Sequence, residues 1–223
     1  ISNQVIVPAG TNNQTIVPLS VSLVNDLLDE HDETFTATLS NPVGATLVGP
    51  TAHTVTIQDD DPLPALSVSD CTLTEGNAGI APCNFTVSLF PVSGRNVSVN
   101  AITVDGLAKA PADYVARLAT LVLPAGVTSA NFAVDVKGDL SHEPNEDYSV
   151  VLGSPQFATI ADLRGDGWIL NDDGPPTISI SDVGVTDRGA NTTAHFTVTL
   201  SVASGFPVSV AYATANGTAT APE

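Results

Sequence analysis

The chain has 223 residues, of which 24 are Asp or Glu and only 6 are Lys or Arg, so its formal net charge is −18. So few cationic side chains exclude a basic surface for nucleic-acid phosphates, and they argue against docking on anionic lipid. The hydrophobic fraction of 43% supports a folded core, but no segment approaches the roughly 20 consecutive apolar residues of a membrane-spanning helix.

Similar segments recur along the chain and predict an internal repeat of about 110 residues. Leu66–Asp70 (LSVSD) returns as Ile178–Asp182 (ISISD), and Phe85–Leu89 (FTVSL) returns as Phe196–Leu200 (FTVTL). The repeat also extends toward the N-terminus, because residues 26–35 match 139–148 and residues 57–61 match 169–173. We therefore expect the C-terminal part of a leading repeat at 1–61, a complete middle repeat at 62–173 and the N-terminal part of a trailing repeat at 174–223.

Within the middle repeat the residue pattern predicts strands. Residues 85–89, 97–101 and 131–136 alternate apolar and polar side chains, and Gly or Pro separates such segments. No segment shows the sustained spacing of an amphipathic helix. About seven short strands in a repeat of this length are typical of an immunoglobulin-like sandwich. The predicted fold class is all-β, with tandem immunoglobulin-like Greek-key β-sandwiches.

The carboxylates of the middle repeat fall between the predicted strands. Glu75 follows an early strand, Asp113 lies in a later connection, and two further acidic stretches cover 139–147 and 172–173. Alternate connections of a Greek-key sandwich lie at the same end, so these loops are expected to meet. Each close pair of like charges costs about 1–4 kcal/mol at a surface-like dielectric, and the chain offers few cations to offset it. Ca²⁺, which takes six to eight oxygen ligands, is the cation that this composition favours.

These stretches resemble the Calx-beta domain, a Ca²⁺-binding sandwich of sodium–calcium exchangers and of large surface proteins. The resemblance lies in Glu75-Gly76, in the segment 103–108 leading to Asp113-Tyr114, and in Asp139 followed by acids four and seven residues later and Tyr148. It implies the following Ca²⁺ ligands in the middle repeat: Glu75, Asp113, Asp139, Glu143, Glu146, Asp172 and Asp173. In the leading repeat it implies Asp26, Glu30, Glu33, Asp59, Asp60 and Asp61. The trailing repeat offers only Asp187. The resemblance also includes an acidic triplet that closes each repeat, seen at 59–61 and 171–173, and Asn171 replaces its first Asp and so removes one charge. Solvated acidic turns are the alternative interpretation.

Two cysteines and one tryptophan give more local predictions. Cys71 and Cys83 flank the first connection between strands, and the trailing repeat lacks both together, with Val183 and Ala194 at those places. This paired absence favours a disulfide and hence an oxidising compartment, with two buried free thiols as the alternative. Trp168 follows Gly167 on a predicted strand and is expected in the core.

Both ends of the chain fall inside a repeat. The sequence has no Met and no signal peptide, so we expect a processed or internal piece of something longer. A half sandwich exposes strand edges and an apolar face. Residues 177–223 of one copy and 1–61 of the next are expected to complete one sandwich, and such head-to-tail contacts build filaments. A window on one long tandem-repeat chain is the alternative.

No nucleophile–base motif, phosphate loop or dinucleotide fingerprint is present, so the chain is predicted not to be an enzyme. The leading hypothesis is a Ca²⁺-binding structural repeat of an extracellular or cell-surface adhesin or filament. In this hypothesis Ca²⁺ stiffens the Pro-rich linkers between repeats, and the partners are copies of itself or neighbouring repeats. Two alternatives remain open: a module that binds glycans or a host receptor, and a Ca²⁺-sensor module of a transporter.

Overall fold

Strands account for all the regular secondary structure of the described residues, which in this computed structural model are 4–11, 16–186, 189 and 192–219. Alternating Val, Ile, Leu and Thr favour a pleated strand with one buried face, as the sequence predicted. In chain order the strands are β1 (Glu33–Thr38), β2 (Ala52–Ile57), β3 (Ala65–Val68), β4 (Cys71–Thr74), β5 (Gly79–Phe90), β6 (Val97–Asp105), β7 (Leu118–Leu123), β8 (Ser129–Gly138), β9 (Glu146–Gln156), β10 (Thr159–Ile160), β11 (Arg164–Leu170), β12 (Ile178–Ile180) and β13 (Val198–Leu200).

The middle repeat is a sandwich of two sheets. One sheet has four strands in the order β10-β3-β5-β8, and the other has five in the order β4-β11-β9-β6-β7. The first strand of the repeat is divided between them: β3 pairs antiparallel with β5, whereas β4 runs parallel to β11. Strands that lie side by side in a sheet are mostly distant in sequence, as in a Greek key. The all-β sandwich class predicted from the alternation is confirmed.

The core lies between the two sheets and follows the alternation of side chains. Along β5, Cys83, Phe85, Val87 and Leu89 are buried while the residues between them face outward. Near the end of the sandwich that carries the acidic loops, Tyr114 and Tyr148 stack with their ring centroids 4.7 Å apart, and Phe85 meets Tyr148 edge-on at 5.9 Å. These aromatic rings close the core beneath the acidic loops.

A disulfide joins the two sheets, and the single tryptophan lies outside the core. Cys71 on β4 and Cys83 on β5 are bonded with an S–S distance of 1.97 Å, which confirms the predicted pairing. The expectation for Trp168 is wrong, because its side chain is 43% exposed. Strand β11 turns Gly167 and Ile169 inward instead, and a Cβ at Gly167 would lie only 2.5 Å from Cζ of Tyr148. The large tyrosine fills the space that the glycine leaves.

The flanking repeats each contribute one antiparallel pair of strands, β1 with β2 and β12 with β13. Their apolar side chains are largely exposed: Val198 is 54% and Ile180 is 62% accessible. Among the described residues, no helix has the length and apolar character that crossing a bilayer requires.

Candidate metal centre

Strand pairing brings the acidic connections of the middle repeat to one end of the sandwich. Since β4 and β11 are parallel and Leu170 is opposite Thr74, the residues that follow both strands emerge side by side. Strand β9 is antiparallel to β11, so it begins at the same edge, with Glu146 opposite Ile169. Strand β6 ends there too, with Asp105 opposite Tyr148. Loops that are far apart in sequence therefore meet, as the Greek-key argument predicted.

The first cluster, called the Glu75 cluster, consists of Glu75, Asp172 and Asp173. One carboxylate oxygen from each lies within 4.8 Å of the others. The Gly76 amide donates a hydrogen bond to Oδ1 of Asp172 at 3.2 Å, and Nδ2 of Asn77 donates to Oδ1 of Asp173 at 3.2 Å. The other oxygen of Asp173, Oδ2, is buried without a hydrogen-bond partner. A buried, unpaired carboxylate oxygen is costly, and a cation bound there would satisfy it.

The second cluster, called the Asp113 cluster, consists of Asp113, Glu143 and Glu146, again with one oxygen each within 4.8 Å. All three side chains are half-buried. The Lys109 amide donates to Oδ2 of Asp113 at 2.6 Å. This hydrogen bond ties the Asp113 carboxylate back to Lys109, the residue just before the turn at 110–113. The Glu143 amide donates to Oδ1 of Asn171 at 3.3 Å and so ties this loop to the end of β11.

Burial and mutual repulsion perturb the acids of both clusters. Burial, followed by the charges of Asp139 and Glu143, raises the pKa of Glu75 to about 7. Burial, followed by the charge of Asp113, raises the pKa of Glu146 to about 7 as well. The pKa of Glu143 is raised for the same reasons. Each of these groups gains from a proton or from a metal ion, and a divalent cation would compensate several at once.

Asp139 links the two clusters electrostatically without belonging to either group of three. Its charge raises the pKa values of Glu75 in one cluster and of Glu143 in the other. Its own Oδ1 accepts a hydrogen bond from the Ser141 amide at 2.6 Å. All seven residues predicted for the middle repeat therefore lie near one another, and the donor set is made of oxygen atoms alone, which suits Ca²⁺ and not zinc.

The predicted acids of the leading repeat are neighbours but form a looser arrangement. Burial and then the charge of Asp26 raise the pKa of Glu30, with further contributions from Glu33, Asp59 and Asp61. Burial, followed by Asp59 and Asp60, raises the pKa of Asp61. Within the described part of the chain, neither group of three oxygens closer than 4.8 Å includes a residue of this repeat. Asp187 of the trailing repeat lies outside the described residues.

Asp105 organises part of the site but was not among the predicted ligands. Oδ1 of Asp105 accepts hydrogen bonds from the Tyr114 hydroxyl at 2.5 Å and from the Ala110 amide at 3.1 Å. The bond from Tyr114 is the main reason that the pKa of Asp105 is lowered. Asp105 thereby shapes the turn that presents Asp113. Its position in the Val-Asp-Gly segment was the available signal, but composition does not separate such a supporting carboxylate from a ligand.

One family model matches most of the chain. The sequence profile of the Calx-beta domain matches residues 5–61, 70–169 and 171–223, which together make up most of the chain. The chain matches no curated protein.

Solved structures that match the chain include the apo form of the Calx CBD1 domain, with 25% identity and a TM-score of 0.44, covering 50% of this chain and 100% of that one. The structure of CBD12 from CALX1.2 has 25% identity and a TM-score of 0.46, covering 53% of this chain and 49% of that one. The calcium binding domain CBD12 of CALX1.1 has 26% identity and a TM-score of 0.45, covering 52% of this chain and 50% of that one. The matched region thus spans about half of each CBD12 structure.

Proposed function

The chain belongs to the Calx-beta domain family, and from this premise we propose that it is a Ca²⁺-binding structural repeat of an extracellular or cell-surface adhesin or filament. Its task is mechanical and not catalytic: Ca²⁺ holds the acidic loops of each repeat together and stiffens the connection to the next. The proposed ligands in the middle repeat are Glu75, Asp113, Asp139, Glu143, Glu146, Asp172 and Asp173. Those in the leading repeat are Asp26, Glu30, Glu33, Asp59, Asp60 and Asp61.

The observation that carries the proposal is the unsatisfied oxygen of the Glu75 cluster. Oδ2 of Asp173 is buried without a hydrogen-bond partner, beside a buried Glu75 whose pKa is raised to about 7. A solvated acidic turn would have neither property. Ca²⁺ accepts many carboxylate and carbonyl oxygens in a flexible geometry, whereas Mg²⁺ demands a tighter octahedron and retains water. The arrangement therefore favours Ca²⁺ over Mg²⁺.

Isothermal titration of the whole chain after removal of metal tests Ca²⁺ binding. We expect Ca²⁺ to release heat and to raise the melting temperature, with Mg²⁺ far weaker. The double variant Asp172→Asn, Asp173→Asn should lose the binding of the middle repeat. Asp135→Asn removes an exposed carboxylate on β8, outside both clusters, and serves as the matched control. No heat with Ca²⁺, together with melting that a chelator leaves unchanged, would refute the proposal.

The disulfide supports an extracellular site of action over that of an intracellular sensor. Structural disulfides form and persist in oxidising compartments and are rare in the cytosol. An antibody against the middle repeat should therefore stain intact, unpermeabilised source cells. Staining only after permeabilisation would instead favour the sensor alternative.

Exposed apolar faces support association with further repeats or further copies of the chain. In the leading repeat, Leu19, Val21 and Leu23 surround a shallow apolar hollow together with Phe35 and Val55. The complementary half of a repeat would cover such a face by strand addition. Sedimentation velocity over a range of concentrations should show association that Val21→Lys weakens. Val24→Lys, at a 94% exposed position outside the hollow, is the control. A monomer at every concentration would contradict assembly between copies.

A further inference from the structure

The two boundaries between repeats are built on the same backbone contact. At the first boundary, Ser93 of the middle repeat forms an isolated parallel bridge with Asp29, and the Gly94 amide donates to the Asp29 carbonyl at 2.9 Å. At the second, Ser204 of the trailing repeat bridges to His142, and the Gly205 amide donates to the His142 carbonyl at 3.0 Å. Each repeat therefore rests a Ser-Gly turn on an acidic loop of the repeat before it.

Both glycines lie close to a glutamate side chain of the preceding repeat. A Cβ at Gly94 would lie 2.7 Å from Cγ of Glu30, and a Cβ at Gly205 would lie 3.0 Å from Cγ of Glu143. Real Cβ atoms do not approach to the first distance and rarely to the second. The two boundaries thus share a close steric contact as well as a hydrogen bond. In each, the glycine packs against the glutamate that follows the bridged residue, Glu30 or Glu143.

The side chain that follows the glycine differs between the boundaries. Arg95 at the first boundary lies with Nε 3.6 Å from Oδ1 of Asp29 and Nη2 3.7 Å from Oδ2 of Asp59, and it also donates to the Glu30 carbonyl. Asp29 is only 3% exposed; its carboxylate accepts a hydrogen bond from the Ser93 hydroxyl at 3.1 Å and has Arg95 as its cationic partner. A buried carboxylate that loses its cation is strongly destabilising.

At the second boundary none of these three positions holds an Asp or an Arg. By alignment of the repeats, Phe206 stands in the place of Arg95, His142 in that of Asp29, and Asn171 in that of Asp59. The rings of Phe206 and His142 pack with their centroids 5.1 Å apart. Asn171 keeps the oxygen but not the charge: its Oδ1 accepts from the Glu143 amide at 3.3 Å, as Oδ1 of Asp59 accepts from the Glu30 amide at 3.2 Å.

We infer that these three positions form a matched recognition site that determines which repeat can dock behind which. An acidic socket, made of Asp29 and Asp59, accepts a repeat whose Ser-Gly turn is followed by Arg. A socket without carboxylates, made of His142 and Asn171, accepts one whose turn is followed by Phe. A mismatch would bury an unpaired charge or set an aromatic ring against carboxylates, and such penalties are a common source of specificity. The inference concerns contacts between repeats, and Asp59 takes part both in these contacts and in the proposed Ca²⁺ site of the leading repeat.

Amide hydrogen exchange, followed by NMR on the whole chain, tests this matching at each boundary separately. The Gly94 and Gly205 amides report the two contacts, and each serves as the internal control for the other. Phe206→Arg should lower the protection of Gly205 by about tenfold and leave that of Gly94 unchanged, and Arg95→Phe should do the reverse. The Val87 amide, in the core strand β5, reports whether the middle repeat stays folded.

Rescue distinguishes matched recognition from simple damage. Adding His142→Asp and Asn171→Asp to Phe206→Arg rebuilds the acidic socket, and it should return the protection of Gly205 to within about threefold of the wild-type value. The non-additive gain is the coupling that a mutant cycle measures. Protection that the single substitutions leave unchanged, or that the rebuilt socket fails to restore while Val87 stays protected, would overturn the inference.

Discussion

Glu75 and Glu146 make the stability of the middle repeat depend on pH when no cation is bound. Burial raises the pKa of each from 4.5 to about 7. Between these values the folded state binds more protons than the unfolded state, so the free energy of unfolding must fall as the pH rises. We therefore expect the urea midpoint in the presence of a chelator to be higher at pH 5 than at pH 8.

The isosteric variants Glu75→Gln and Glu146→Gln should flatten this dependence, because each replaces the group that titrates. In the wild type, saturating Ca²⁺ should oppose this fall in the free energy of unfolding with rising pH, because metal binding requires the deprotonated carboxylates. A urea midpoint that rises between pH 5 and pH 8 in chelator would contradict the assignment of these two groups.

Gly167 is a residue at which a single added methyl group should disturb the core. Its missing Cβ would lie 2.5 Å from Cζ of Tyr148, whose ring is fully buried. Gly167→Ala should therefore reduce the free energy of unfolding by about 1–3 kcal/mol through overpacking. Gly153→Ala, in the adjacent strand β9 with nothing within 4 Å of the new methyl group, is the matched control. Equal urea midpoints for the two variants would show that the Tyr148 ring can move aside.

At the scale of the elements, the disulfide ties β4 in one sheet to β5 in the other. The two cysteines are 12 residues apart. Closing so short a loop is worth about 3 kcal/mol in the chain-entropy account. The double variant Cys71→Ala, Cys83→Ala should lose stability of this order in chemical denaturation, and reduction of the wild type should reproduce the loss. The trailing repeat carries Val183 and Ala194 at these places, so its melting should not respond to reductant.

The strands were accessible to sequence analysis because one face of each is buried. The alternation in β5, β6 and β8 is regular enough to predict the strand and its buried face together. The tryptophan shows the limit of this reasoning. Hydrophobicity alone places Trp168 inside, but the register of β11 turns the neighbouring glycine inward to make room for Tyr148. Which face of a strand is buried depends on residues of other strands that pack against it, and the local sequence does not identify these residues.

The meeting of the acidic loops was predictable from the sequence, but their geometry was not. Acids between strands, together with a Greek key, are enough to predict that the loops meet. The division into a Glu75 cluster and an Asp113 cluster depends on the pairing of β4 with β11 and of β9 with β6, which residue types do not determine. The supporting role of Asp105 also depends on tertiary structure, because it requires the Tyr114 hydroxyl to lie within hydrogen-bonding distance of the Asp105 carboxylate.

At the scale of the whole molecule, the acidic residues lie where one repeat joins the next. Asp172 and Asp173 belong to the Glu75 cluster and immediately precede Gly174 and two prolines. The carbonyl of Asp173 also contacts Nδ1 of His142 at 2.8 Å, and His142 is the residue on which the trailing repeat docks. A cation in this cluster would therefore constrain both the linker and the docking loop.

Small-angle X-ray scattering should detect this constraint as a change in flexibility. With Ca²⁺ we expect an extended particle whose scattering fits a single rigid shape. With chelator, repulsion among the linker carboxylates and the loss of their common ligand should allow a spread of shapes, seen as a rise at high angle in the Kratky plot. The variant Asp172→Asn, Asp173→Asn should gain less rigidity from Ca²⁺ than Asp135→Asn, which keeps both clusters intact. Identical profiles with and without Ca²⁺ in a protein that binds the ion would mean that the metal stabilises each sandwich without stiffening the chain.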